Sequence, residues 1–230
     1  MFSSLKATSQ NVSKQSIQRL LTAADIKQSI VSPASTIYDI NKASQTVARA
    51  FNDLPVSLYL KTSTHKGLPQ HEVEAHFFKT LTKYVSKGGI IIQSHDHAAV
   101  ALWLPPNFAK AQPSTDQEEE LEEIPPQFQE LGACFASASK RNGFDERPHW
   151  HLQFLAKDPL RSNDLTTKGA ISSIVKPILQ RAVEVDKVPV VLESAGEKAT
   201  LVYKHWGFKT LEKLSIDEGR VTFDYMVYND

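Results

Sequence analysis

Two stretches hold side chains able to move protons. In "RPHWHLQFLAKD" His149 and His151 flank Trp150, and in "VPVVLES" Glu193 stands near the end of an apolar run. An imidazole with an ordinary pKa of about 6.5 suits proton removal near neutrality, so His151 is a candidate general base. Glu193 could do the same work directly or through water. His149 and His151 also share a strand face and could hold a metal, but two ligands without a third do not make a centre. His95 and His97 in "SHDHA" have metal-like spacing too, yet a polar turn accounts for them. Cys134 in "LGACFASAS" could be a nucleophilic thiol; a small packed side chain is the simpler reading. A further stretch, "DPLRSNDLTTKGAISSIV", reads as a strand exit entering a helix through a phosphate-holding turn. Such turns bring backbone amides to the oxygens they bind and usually carry two or more small residues, whereas this one has only Gly169.

The elements that must position these residues follow from periodicity. Ile17 to Leu21 suit a short strand, and Thr22 to Asp25 offer capping chemistry. Ile40, Ala43, Val47, Ala50, Phe51 and Leu54 fall at helical spacing before Pro55, and residues 71–87 repeat the pattern up to Gly88-Gly89. Residues 90–104 read as a β-hairpin around "HDH". Residues 105–126, with "DQEEELEE", suit a solvated helix face or connection, followed by a helix over about 126–140. "WHLQFLAKD" is a strand, 168–186 an amphipathic helix, "VPVVLES" a strand and "EKATLVYKHWG" a short helix closed by Gly207. "FKTLEKLSI" and "RVTFDYMVY" complete the sheet. This order predicts an α/β (α+β) fold, a mixed sheet flanked by helices. With no internal repeat, a single domain is expected.

The composition limits the partners. The chain has 230 residues, 41% hydrophobic and 23% charged, with Lys+Arg 26 balanced by Asp+Glu 26. Zero net charge argues against nucleic acid or an anionic membrane surface as the main partner. One cysteine excludes an intrachain disulfide and suits a reducing compartment. No apolar run approaches the roughly 20 residues of a membrane span. The N-terminus is Ser-rich, carries Lys6, Lys14 and Arg19 and has no acidic residue before Asp25, a composition that also fits a mitochondrial presequence. Cytoplasmic residence is expected, with a nuclear pool and mitochondrial import left open.

The ordered set "RPHWHLQFLAKDP…TTKGAISSIVKPILQRAVEVDKVPVVLESAGEKATLVYKHWGF" resembles the GNAT (Gcn5-related N-acetyltransferase) superfamily, most closely its puromycin-acetyltransferase-like branch. That branch has a Trp-bearing strand, a "DP" exit, a glycine-rich loop, a proline-interrupted helix, a "P-x-x-LE" strand and "Y-x-x-x-GF"; "VALWLPP" and "AADIKQ…ARAF" resemble its earlier parts. The resemblance implies the GNAT fold, a mixed sheet of about six to seven strands with a splayed central strand pair and helices on both faces. The domain would span 17–230, after an extension over 1–16 and with an insertion at about 105–148.

It further implies acetyl transfer from acetyl-CoA, a co-substrate, to an amine of a small molecule or protein. By resemblance, the backbone of Leu155, Ala156 and Lys157 would meet the pantetheine arm and thioester. Tyr203 would protonate or orient the departing CoA sulfur, with Glu193 or His151 as base. Lys168, Gly169, Ala170, Ile171 and Ser172 would bind the pyrophosphate, with Lys168 or Arg161 adding charge. No metal is implied.

Two departures stand against the family pattern. Of the loop signature Q/R-x-x-G-x-G/A only Gly169 survives, because Thr166 and Ile171 occupy the other defining positions, and the turn is about four residues longer. Ala199 replaces a frequent asparagine. CoA binding is therefore expected to be weakened. The alternative is a catalytically silent GNAT domain serving as a protein- or ligand-binding module, its α-helix capped by Thr166 or Thr167 instead of phosphate. The acceptor's identity and the oligomeric state are not legible in the sequence.

Overall fold

Strand-length apolar runs build the centre of the molecule. The structure, a computed structural model, describes residues 31–33, 36–62, 69–106, 108 and 125–230; the expected strand at Ile17 to Leu21 and the extension over 1–16 lie outside them. In chain order the elements are β1 (Val31–Pro33), α1 (Ile37–Phe51), α2 (Pro55–Thr62), α3 (Gln70–Ser86), β2 (Ile90–Ser94), β3 (Ala99–Leu104), α4 (Pro126–Arg141), β4 (Trp150–Lys157), α5 (Ala170–Arg181), β5 (Val190–Ser194), α6 (Glu197–His205), β6 (Lys209–Ile216) and β7 (Val221–Tyr228). The seven strands form one sheet in the order β1-β2-β3-β4-β5-β7-β6.

All neighbouring strands are antiparallel except β4 and β5, which run parallel. That pair is in register at only two positions, Trp150 with Val190 and His151 with Val191. From Leu152 onward the β4 edge is not paired with β5, which is the splayed pair that the resemblance implies. On its other side β4 stays paired to β3 as far as Lys157. The β3 register steps from Phe154 to Leu152 there, which leaves Gln153 bulged and reverses the side-chain alternation.

The bulge assigns β4 side chains to two layers. Trp150, Leu152 and Leu155 join Trp103, Val190, Leu192 and the α5 stripe of Ile174, Val175 and Ile178 on one face. Phe154 and Ala156 face α1 and α3 on the other, where Val191, Tyr225 and Val227 meet α2 and α4. Helices thus cover both faces.

Three boundaries differ from the sequence expectations. The α1 helix stops at Phe51, and Pro55 opens a separate helix instead of closing the first, because proline needs no N–H at a first helical position. The helix expected over 168–186 is regular only from Ala170 to Arg181 and continues as a π-turn over Ala182–Asp186. Asp186 anchors that turn, accepting from Trp150 Nε1 and Arg181 Nε at 2.8 Å each. Strand β1, which pairs with β2, has no counterpart in the periodicity reading.

Candidate active site

The fork between β4 and β5 brings two of the candidate proton carriers together. His151 sits on β4 at the last paired position, and Glu193 lies two residues beyond its register partner Val191. Their side chains meet with Nε2 of His151 donating to Oε2 of Glu193 at 2.8 Å. A neutral His151 therefore keeps its acceptor lone pair on Nδ1. The pair is nearly withdrawn from water, with 21% of the His151 side chain and 8% of Glu193 exposed. Burial pulls the imidazole pKa down, but the charge and hydrogen bond of Glu193 outweigh it, and the net shift is upward.

His149 follows the opposite course. Its Nδ1 donates to the Arg147 carbonyl at 2.7 Å, and its ring lies 6.2 Å from that of His151. Burial is the main cause that holds its pKa below the ordinary value. Neither these two nor the His95/His97 turn belongs to a metal-binding group of three or more His, Cys, Asp or Glu among the described residues. His95, Asp96 and His97 form a tight turn in which all three have positive φ. Arg161 clasps that turn through the His95 carbonyl at 2.5 Å while also bonding Asp164.

Tyr203 is on α6, on the α5 side of the sheet. It packs edge-on against Trp206 and Phe208, with centroids 5.8 and 5.7 Å away. Burial drives its phenol well above the ordinary range. The hydroxyl thus keeps its proton at any physiological pH. Tyr203 and the His151–Glu193 pair are associated with opposite faces of the sheet.

The segment joining β4 to α5 is held by its own side chains. Asp158 accepts both guanidinium arms of Arg49, at 3.1 and 2.8 Å, and the Leu160 amide at 3.0 Å. Asp164 accepts the Thr166 amide at 2.9 Å, and Thr167 Oγ1 donates to the Asp164 carbonyl at 2.8 Å. Neither Thr166 nor Thr167 therefore caps α5, which corrects the capped-helix alternative. Gly169 occupies the N-cap with φ 84° and no side-chain cap, so α5 begins with its first amides directed outward. A Cβ at Gly169 would meet no atom within 4 Å. The Lys168 amide is already given to the Leu165 carbonyl at 3.2 Å. Ile171 is half-buried and packs into the core with Ile174 and Val175. Its side chain thereby packs against the core, and the first amides of α5 carry the partial positive charge of a helix N-terminus. Arg161 is committed to Asp164 and the hairpin turn, which leaves Lys168 as the cation of the original pair beside Gly169.

Sequence reasoning missed three contributors. Arg49 is 109 positions from Asp158 and has no local signature. Tyr84 and Tyr225 come from α3 and β7, and the Glu193 charge raises the pKa of both, second to burial for Tyr84 and after burial for Tyr225. Cys134 on α4 is half-buried, its thiol raised chiefly by burial, so it is not an activated nucleophile.

Residues 35–109, about a third of the chain, match the family model described as the YOR012W acetyl transferase domain. No curated protein matches the sequence. The structure is similar to a histone acetyltransferase HPA2-related acetyltransferase from Corynebacterium glutamicum, at 21% identity and TM-score 0.58 over 86% of this chain and 94% of that one. It is also similar to arylalkylamine N-acetyltransferase 2 from Aedes aegypti (16% identity, TM-score 0.55, 86% and 98% covered). A polyamine N-acetyltransferase from Drosophila melanogaster that forms N-acetylagmatine aligns at 13% identity and TM-score 0.57, with 86% and 99% covered. The fold is that of the GNAT N-acetyltransferases.

Proposed function

We propose that this chain transfers the acetyl group of acetyl-CoA to an amine. The observation that carries the proposal is the fork itself. Two parallel strands part after two registered positions, and a nearly buried His151–Glu193 pair stands where they part. The unpaired β4 edge, with the backbone of Leu155, Ala156 and Lys157, offers hydrogen-bonding groups to the thioester arm. The uncapped amides of Ala170, Ile171 and Ser172, with Gly169, suit the pyrophosphate. The branch-level likeness to puromycin acetyltransferases belongs to the same proposal, and it rests on the motif order of the C-terminal third.

In this mechanism the chain's residues handle protons and position. An acceptor amine is an ammonium at neutral pH and must lose a proton before its nitrogen can attack. Nδ1 of His151 takes that proton, and Glu193 holds the ring and stabilises the imidazolium. The C–N bond then forms as the C–S bond breaks, the attacking nitrogen releases its second proton to solvent to become the amide, and Tyr203 gives its proton to the leaving thiolate and regains one from solvent. The supporting feature for Tyr203 is its place in "YKHWGF".

The test begins with calorimetric titration of acetyl-CoA into the purified chain, followed by incubation with a panel of primary amines and measurement of free CoA thiol and acetylated product. Stoichiometric binding with turnover is the expected result. Binding without turnover on any amine would return the chain to the silent-module alternative. Failure to bind at millimolar concentration would remove the role of the α5 N-terminus.

A further inference from the structure

We infer that Thr200 is a positioning residue for Tyr203: it ties α6 to the ends of β5 and β7 and so sets the depth at which the phenol meets the departing sulfur. This rests on the acetyl-transfer proposal above. Helix α6 meets the rest of the molecule along a narrow stripe. From Glu197 to Trp206, Thr200 is buried, Tyr203 and Trp206 are half-buried, and every other residue is exposed, Leu201 and Val202 included. The three fall three positions apart, on one face of the helix. The C-terminal end of the stripe is apolar, with Tyr203 packed on Trp206 and Phe208. Apolar burial is non-directional, so these contacts alone do not fix how far α6 slides along the sheet.

The N-terminal end is held by directional bonds. Oγ1 of Thr200 lies 2.9 Å from Oγ of Ser194, the last residue of β5, and 3.0 Å from Oδ2 of Asp224 on β7, the register partner of Ser194. A hydroxyl has one proton to give and a carboxylate only accepts, so Thr200 donates to Asp224 and receives the Ser194 hydroxyl. Ser194 is buried, as Thr200 is, and the other carboxylate oxygen, Oδ1 of Asp224, is buried without a donor. Among the described residues Thr200 is therefore the one side chain that hydrogen-bonds the Asp224 carboxylate. Loss of its hydroxyl strands that carboxylate under α6, where an unmet acceptor is unfavourable, and the start of the helix must give way to admit water. A helical side chain leans toward the N-terminus of its helix, so Tyr203 leans toward the end that moves. The His151–Glu193 pair belongs to the other face of the sheet, so the shift reaches the reaction through Tyr203 and not through the base.

The experiment is a double-mutant cycle on kcat and on KM for acetyl-CoA. The acceptor is the fastest of the primary-amine panel, which includes spermidine, agmatine, phenethylamine and a lysine peptide. Thr200→Val keeps the side-chain shape and loses the hydroxyl. In the wild-type background it should lower kcat by about tenfold, the scale of a small misplacement of a reacting group, with KM for acetyl-CoA unchanged, and Thr200→Ser should restore kcat. In the Tyr203→Phe background Thr200→Val should cause no further loss, because its effect passes through the phenol. An equal fall in both backgrounds would overturn the inference and leave Thr200 a structural residue, as would wild-type kcat in a folded Thr200→Val. Should Thr200→Val not fold, Ser194→Ala is taken through the same cycle and decides by the same criterion. Wild-type turnover in Tyr203→Phe would overturn the inference while leaving acetyl transfer standing. Failure of the wild-type chain to acetylate any amine of the panel would remove both together.

Discussion

The most consequential residue is His151, because Glu193 gives it two properties at once. The carboxylate fixes which ring nitrogen carries hydrogen, and it raises the pKa against the downward pull of burial. A base must be deprotonated to act, so kcat/KM should fall as pH drops through that raised pKa. Glu193→Gln keeps a hydrogen-bond acceptor and removes the charge, which leaves burial as the dominant influence. The acidic limb should then move to lower pH, with a reduced plateau because the imidazolium loses its stabiliser. A limb that stays in place in the folded variant would exclude His151 as the titrating base. Tyr203→Phe makes a separate prediction. Only the hydroxyl is removed from a ring wedged between Trp206 and Phe208. Thermal stability should hardly change while turnover falls by about 100-fold, within the usual range for a lost general acid. Wild-type turnover would reduce Tyr203 to a packing residue.

At the scale of elements, the β4–α5 connection decides whether the departures from the family loop matter. With Ile171 packed beside Ile174 and Val175, replacing it by glycine removes buried surface and adds helix entropy. Ile171→Gly should cost roughly 2 kcal/mol in denaturant unfolding and should not tighten acetyl-CoA in calorimetry. Tighter binding would mean that the side chain does obstruct the phosphate. Asp158→Ala, by contrast, strands Arg49 and frees the Leu160 amide. It should cost about 2 kcal/mol, less than a fully buried pair because Arg49 is partly exposed.

The same elements mark how far the sequence could be read. The stripes of α1, α3 and α5 and the β2–β3 hairpin follow from local spacing, and their existence was legible. The start of α2 was not, since a proline that closes one helix and a proline that opens another look alike without the intervening turn. Splaying came only from family likeness, because two parallel strands part by tertiary geometry. His151 and Glu193 were each legible as candidates. Their bond was not, since it depends on the register of strands 42 positions apart. The Arg49–Asp158 clasp escaped for the same reason.

Across the whole molecule, His151 on β4, His149 just before it and His76 on α3 give stability a pH dependence of known sign. His151 has a raised folded pKa, so its contribution is complete below the unfolded value of about 6.5 and is lost as pH rises through the folded value. His149 has a lowered one, as does His76, so these favour the folded state above the unfolded value and withdraw that support as pH falls toward their folded values. The opposing slopes meet near the unfolded pKa, and these three groups together place a local maximum of stability at about pH 6.5. Glu193→Gln should remove the descending arm on the alkaline side and keep the rising arm on the acidic side. Melting temperature measured from pH 5 to 8 checks it, since about 1 kcal/mol shifts Tm by roughly 2–4 °C in a chain of this size. An alkaline arm that persists in the variant would mean that some group other than the His151–Glu193 pair links stability to pH, and it would weaken the case that this pair is strongly coupled at the fork.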